Sequence, residues 1–341
     1  MTAFTVVGAG VSGLYTAYSL VKHRIPGHHI TIVAQHHPGD SSVNYTSPSA
    51  GGNFSTISPD DTDTVMFDRY TYQHLEELQK DLGGPGCGLN RFPIIESYDY
   101  MPPQQKLVLL MQYAQDFEFI PRDEFVDQEV VLAVRYKTWN FNCPLFLAKM
   151  ADFLKENGVQ FEKQKLNHIE EAFSDDTTCV FNCSGLGSAT LGGVNDRLMY
   201  PTRGQVVIIR APHINQNVFR WGKNSATYII PRPDSNLVVL GGFLDRNNYS
   251  GDTTKEETED ILKRTTELHP ALLDLATGKG VEIVRESAGL RPSRKGGVRI
   301  EKQKLPGGKL VIHNYGAGGY GYQSGLGMAH RAVSLVLGSK I

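Results

Sequence analysis

The segment Gly8-Ala9-Gly10-Val11-Ser12-Gly13 constrains this 341-residue chain more than any other feature. It follows directly on a β-rich run, Phe4 to Val7, and leads into Leu14, Ala17, Tyr18 and Val21, which recur at helical spacing. His28 to Ala34 then reads as a second buried strand. Strand, glycine turn, helix and strand in such quick succession make a βαβ unit of the dinucleotide-binding kind. There Gly8 permits the tight turn, Gly10 lets the backbone approach a pyrophosphate, and Gly13 lets helix and strand pack closely. Ala9, Val11 and Ser12 supply the main chain between them, at a helix N-terminus that favours negative charge.

The acidic residue that usually ends the second strand and holds a ribose is replaced by Gln35, which offers an uncharged hydrogen bond instead. His36 and His37 follow in what reads as a loop, with His36 in reach of an adenosine. Two further glycine clusters bear on the ligand. Val180 to Gly187 is an apolar strand ending in Ser184, Gly185 and Gly187. Asn314 to Gly325 places Gly316, Gly318, Gly319 and Gly321 between a strand and a last helix, where free amides suit the electron-rich edge of a flavin. NAD needs only the first cluster; three clusters spread along the chain fit a long, buried FAD.

Helical patterns cover Asp68 to Leu82, Pro144 to Asn157, Lys255 to Leu268 and roughly 323–337. Val159 to Phe161, Thr178 to Asn182, Tyr228 to Pro231, Asn236 to Gly241 and Lys309 to Asn314 read as strands, with a hairpin turn at Arg232-Pro233-Asp234-Ser235. The expected fold is α/β, with two domains. A FAD-binding Rossmann-like domain takes residues 1–55, 150–195 and 285–341. A substrate-binding α+β domain on a mixed or antiparallel sheet takes 56–149 and 196–284. With 34 Lys and Arg against 36 Asp and Glu, the chain lacks the charge of a nucleic-acid or anionic-membrane binder. No apolar run approaches a membrane span, and the N-terminus lacks the basic stretch of a signal peptide. Cys87, Cys143, Cys179 and Cys183 match no zinc spacing and are expected as reduced, mostly buried thiols. No metal is expected.

Several blocks resemble the D-amino-acid oxidases, most closely the peroxisomal enzymes of yeasts. They are Val7 to Gly13, Thr46 to Asn53, Trp139 to Pro144, Tyr200 to Gln205, Tyr228 to Pro233, Gly289 to Arg294 and His313 to Gln323, in collinear order over nearly the whole chain. The resemblance implies FAD-dependent oxidation of a D-amino acid by hydride transfer. Its products would be a 2-oxo acid, ammonia and, from molecular oxygen, hydrogen peroxide. Arg291 would grip the substrate carboxylate and Tyr228 would hold it through its hydroxyl. Asn53, Leu244, Arg220 and Gly319 would complete the substrate site. Ser47, Gly51, Gly52, Asn53, Leu166, Ser184, Gly185, Gly318, Gly319, Tyr320, Gly321, Tyr322 and Gln323 would join the first glycine turn, Gln35 and His36 around FAD. Arg203 is expected in a structural or cofactor-proximal role.

Leu244, just past Gly241-Gly242, cannot pair with a second carboxylate, which points to neutral substrates such as D-alanine. Arg220 and Arg246 leave a D-aspartate oxidase open, and a glycine or sarcosine oxidase is a further alternative. Ser49 stands where the family carries a tryptophan. Ser339-Lys340-Ile341 is similar to a peroxisomal targeting tripeptide, implying an import receptor as partner, and a homodimer or larger homo-oligomer is expected.

Overall fold

The structure, a computed structural model, describes residues 3–125, 127–223, 225–273 and 280–338. The Ser339–Ile341 tripeptide lies outside the described residues. One sheet has six strands: β1 (Ala3–Val7), β2 (Ile30–Ala34), β6 (Gln160–Lys163), β7 (Thr177–Asn182), β14 (Arg299–Lys304) and β15 (Leu310–Tyr315), in the order β14-β15-β7-β1-β2-β6. All neighbours are parallel except β14 and β15. β1 lies at the centre, and Phe4 to Val7 are buried, as a parallel strand covered on both faces requires. Helices α1 (Val11–Lys22), α4 (Cys143–Glu156) and α6 (Gly321–Leu337) pack with it, joined by edge-to-face contacts such as Tyr15 on Phe146.

The other sheet is built from β3 (Leu89–Tyr98), β4 (Gln115–Phe119), β5 (Leu132–Phe141), β8 (Met199–Arg210), β9 (Asn217–Trp221), β10 (Ala226–Pro231), β11 (Leu237–Gly241), β12 (Asp245–Arg246) and β13 (Glu282–Arg294). Its order is β12-β8-β11-β10-β9-β3-β5-β4, with β13 on β8, and it is antiparallel except between β3 and β9. Arg232 to Asn236 join β10 to β11 as a hairpin, one residue longer than expected. α5 (Lys255–Leu268) covers one face through Ile261, over Val207, Ile209, Ile229 and Leu240. α3 (Gln104–Tyr113) sends Leu110 into the main core.

The division by residue number differs in two places. β13 pairs with β8 from Glu282 opposite Arg210 to Arg294 opposite Met199, so residues 285–294 belong to the second sheet. α2 (Thr62–Asp81), inside the segment assigned to the substrate domain, packs against α6. There the buried Asp68 carboxylate accepts from Gln323 Nε2 at 2.9 Å and from the Ser324 hydroxyl. Gly327 leaves room for the α2 backbone: a Cβ would stand 2.5 Å from the Phe67 carbonyl oxygen. All four cysteines are unpaired and buried.

Candidate active site

A cavity of about 820 Å³ runs between the two sheets. In its wall Gly8 adopts φ +108°, where a Cβ would lie 2.6 Å from the Cys183 carbonyl oxygen. Gly10 caps α1 and faces Ser47, whose Oγ accepts from Val11 N–H at 3.1 Å. Ala9, Val11, Ser12, Ser184 and Gly185 line the same wall. Gly13 does not line the cavity: a Cβ there would come 1.8 Å from the Gly8 carbonyl oxygen, so its role is the close approach of helix to strand.

Toward one end lie Gln35, His36, Gln164, Lys165, Leu166 and Asn167. They meet because β2 and β6 run parallel and Gln164 N–H donates to the Ala34 carbonyl at 3.0 Å. His36 stacks on Tyr45, whose hydroxyl donates to the Ala9 carbonyl at 2.8 Å. Burial pushes the hydroxyls of Tyr45 and Tyr322 upward, so both remain donors at neutral pH. Tyr322 spends its proton on the Ser47 carbonyl at 2.9 Å. Ser47 to Asn53 is fastened to the end of β5: Phe141 N–H donates to the Gly52 carbonyl at 2.7 Å, and Asn53 Nδ2 to Asn140 Oδ1 at 2.8 Å. Two buried polar atoms of lining residues, His36 Nε2 and Asn53 Oδ1, have no partner within the protein. Such atoms are stable only if a ligand or water meets them.

At the other end stand Arg291 and Tyr228. Arg291 is opposite Thr202 on β8 and diagonal to Gly204. Its guanidinium lies over Gly204, where a Cβ would be 2.2 Å from Nη1. Nη1 donates to the Phe243 carbonyl at 3.0 Å, and no carboxylate among the described residues pairs with the group. Gly319 borders it: a Cβ there would come 3.3 Å from Arg291 Cδ. Tyr228 is opposite Gly241 and leans over Gly241 and Gly242, where a Cβ would meet its ring at 2.2 and 2.5 Å. Its other side stacks on Phe219, with ring centroids 5.6 Å apart. A fixed guanidinium and a fixed phenol on one wall can hold a carboxylate at set distance and tilt. No Asp or Glu lines the cavity among the described residues, and the one lining cysteine, Cys183, is pushed up to about 12 by burial.

Besides Gly13, two expected site residues, Arg220 and Tyr320, do not line the cavity, and Arg203 has the structural role of the two expected for it. Arg220 faces away from the cavity, because alternation on β9 turns Phe219 and Trp221 inward. Its guanidinium is instead taken by Asp99 at 3.0 Å, Asp127 at 2.6 Å and Glu129 at 3.0 Å. Tyr320 is absent from the lining and packs with Phe67 and Val298, on the side of the turn facing α2. Arg203 is buried against Glu257 of α5 at 2.8 Å, a structural tie. Gly51, Gly52, Asn53, Leu244, Gly318, Gly319, Gly321 and Gln323 line the cavity, as does Ser49. The aromatic wall of Phe219, Trp221, Phe243 and Tyr249 was not expected. The β9 alternation Phe219, Trp221 was its visible signal.

A family model described as FAD dependent oxidoreductase matches residues 4–335. The chain belongs to that family. The chain is similar to a D-amino-acid oxidase of Schizosaccharomyces pombe, 42% identical over 335 residues that cover 97% of this chain and 95% of the relative. A D-amino-acid oxidase of Fusarium vanettenii is 31% identical, with 97% and 95% covered. The solved glycine oxidase from Bacillus cereus superposes with a TM-score of 0.75 at 18% identity, covering 100% of this chain and 96% of that one, and so shares the fold. The family's cofactor, FAD, suits the cavity: the glycine turn and α1 N-terminus would take the pyrophosphate, and His36, Gln35 and Leu166 the adenosine. The segment Gly51 to Asn53 and the turn Gly318-Gly319 would flank the flavin ring.

Proposed function

We propose that this chain is a FAD-dependent oxidase of neutral D-amino acids. The observation that carries the neutral preference is the cation count at the Arg291 end. Arg291 and Lys165 are the Lys and Arg residues of the lining, and Lys165 sits at the far end beside Gln35. Of the two candidates for a second carboxylate, Arg220 is spent on three acidic side chains, and Arg246 is exposed on β12 and absent from the lining. The rest of that end is apolar or aromatic: Ile57, Phe219, Trp221, Phe243 and Leu244. Alanine-like side chains fit such a wall, whereas an acidic one would lose hydration without a partner.

Arg291 would bind the substrate carboxylate through guanidinium N–H groups not used on the Phe243 carbonyl, and the Tyr228 hydroxyl would add a second donor. Rigid neighbours hold both, Gly204 and Gly319 around Arg291, Phe219 and Gly241 around Tyr228. With the carboxylate fixed, D-selectivity follows if the walls accept the α-hydrogen and the side chain in only one handed arrangement. FAD supplies the hydride acceptor and returns the electrons to oxygen. Among the described residues no carboxylate base lines the cavity, so the contribution read from them is orientation and water exclusion. With this reading go molecular oxygen as co-substrate and, from Ser339-Lys340-Ile341, a peroxisomal import receptor as partner.

Anaerobic mixing of the yellow holoprotein with D-alanine is expected to bleach its visible flavin band within seconds. D-aspartate, glycine, sarcosine and L-alanine should do so far more slowly. Equal bleaching by D-aspartate would overturn the neutral preference, and bleaching by glycine or sarcosine alone would reassign the enzyme.

A further inference from the structure

A second cavity, of about 110 Å³, lies behind the aromatic wall. Ile57 and Trp221 line both spaces, so these two side chains are the partition between them. The far side is formed by Tyr98, Tyr100, Pro103 and Leu107, with Thr56 and the buried Lys106, whose ammonium group donates to the Ser58 hydroxyl at 2.9 Å. Trp221 is not merely packed in place. Its Nε1–H donates to Glu96 Oε2 at 2.6 Å. Glu96 is itself fully buried, and the same oxygen accepts from Thr56 Oγ1 at 2.6 Å and Tyr98 hydroxyl at 3.0 Å. The Tyr136 hydroxyl donates to Oε1. Trp221 in turn packs at a tilt on Phe219, and Phe219 stacks on Tyr228, with 5.6 Å between centroids in each pair.

A carboxyl group buried with four donors is costly unless every contact is made, so this cluster has one well-defined arrangement. No member of it except Trp221 lines the main cavity. We infer that Glu96 is a positioning residue that locks the Trp221 indole shut across a latent extension of the substrate site. The lock sets the upper size of the substrate side chain. The inference rests on the proposed D-amino-acid oxidase activity for its kinetic readout. A cavity of ~150 Å³ holds benzene. The space behind Trp221, together with that vacated by the indole, is therefore enough for an aromatic side chain of a D-amino acid.

The test is the ratio of kcat/KM for D-tryptophan to that for D-alanine in the FAD-bound protein. Trp221→Ala removes the partition and should raise the ratio about tenfold or more. Trp221→Phe keeps a ring but deletes the donor, and Glu96→Leu deletes the acceptor. Both should raise the ratio about threefold, the first covering the case in which the second does not fold. Glu96→Gln, whose amide oxygen can still accept from the indole while its NH₂ meets Tyr136, should restore the wild-type ratio within about twofold. A wild-type ratio in Trp221→Ala overturns the inference. So does a rise in Glu96→Gln equal to that in Trp221→Phe. Should the wild type oxidise no D-amino acid, the proposed function fails separately. The partition is then read from dissociation constants of 3-indolepropionate and propionate, followed by the visible absorbance of bound FAD, with the same changes in ratio expected and the same outcomes decisive.

Discussion

At the nucleotide end of the large cavity the wall is mostly main chain: Gly8 at φ +108°, Gly10 at a helix cap, and amides at the start of α1. At the opposite end it is made of side chains, and glycines serve there by leaving space: Gly204 beneath the Arg291 guanidinium, Gly241 and Gly242 beneath the Tyr228 ring. In the proposed arrangement, main chain would recognise what every FAD presents, a charged pyrophosphate. Side chains recognise what differs between substrates. The two ends should therefore fail in different ways when altered.

The largest effect is expected from Arg291→Ala. Loss of a charged partner for a desolvated carboxylate, with loss of its orientation, should lower kcat/KM for D-alanine by at least about 10³-fold. Flavin content should stay normal in the same preparation. Near-normal efficiency in that variant would break the division of labour. A pair of glycine substitutions sharpens it. Gly13→Ala drives a methyl group to within 1.8 Å of the Gly8 carbonyl oxygen. It should reduce the flavin-to-protein absorbance ratio and cost about 1–3 kcal/mol of stability in denaturant titrations. Gly204→Ala puts its methyl group 2.2 Å from Arg291 Nη1. It should retain flavin but lower kcat/KM about 10²-fold through misplacement of the guanidinium. If Gly204→Ala also lost flavin, the two ends would not be separable. The smallest effect belongs to Arg220→Ala. The D-alanine to D-aspartate rate ratio should move by less than about twofold. Stability should fall by ~1 kcal/mol or less, since its ion pairs are partly exposed.

The same contrast explains what could be read without coordinates. The βαβ unit announced itself because a glycine turn between a strand and a helix has few other uses, and β1, α1 and β2 lie within a few residues of their expected bounds. α5 matches its expected limits, Lys255 to Leu268, because a thoroughly charged amphipathic face and the Thr254 cap mark it locally. β8 and β13 were not legible. β8 contains Pro201, Arg203, Gly204 and Gln205, and β13 contains Glu282, Arg285, Glu286 and Arg291. Their polar positions interrupt the alternation that marks a strand, because some of those residues face α5, solvent or the cavity instead of a core. Arg291 and Tyr228 were placed by family resemblance alone. A lone arginine before a proline, or a tyrosine in an apolar strand, carries no local mark of its role. Arg220 shows the converse limit: its sequence position allowed a place in the cavity, but the pairing of β9 with β10 fixed it on the outer face.

The central place of β1 has a consequence for biosynthesis. That strand is flanked by β2 and by β7, whose residues Thr177–Asn182 are translated long after it. At about 5–20 residues per second, one edge of β1 stays open for about 10–30 s on the ribosome. Arg291 and Gly319 emerge later still, so the holoenzyme can be completed only after residue 319 has been synthesised. During that interval the nascent Ala3–Val7 edge is an exposed template for wrong pairing, and a holding chaperone would have its greatest use there.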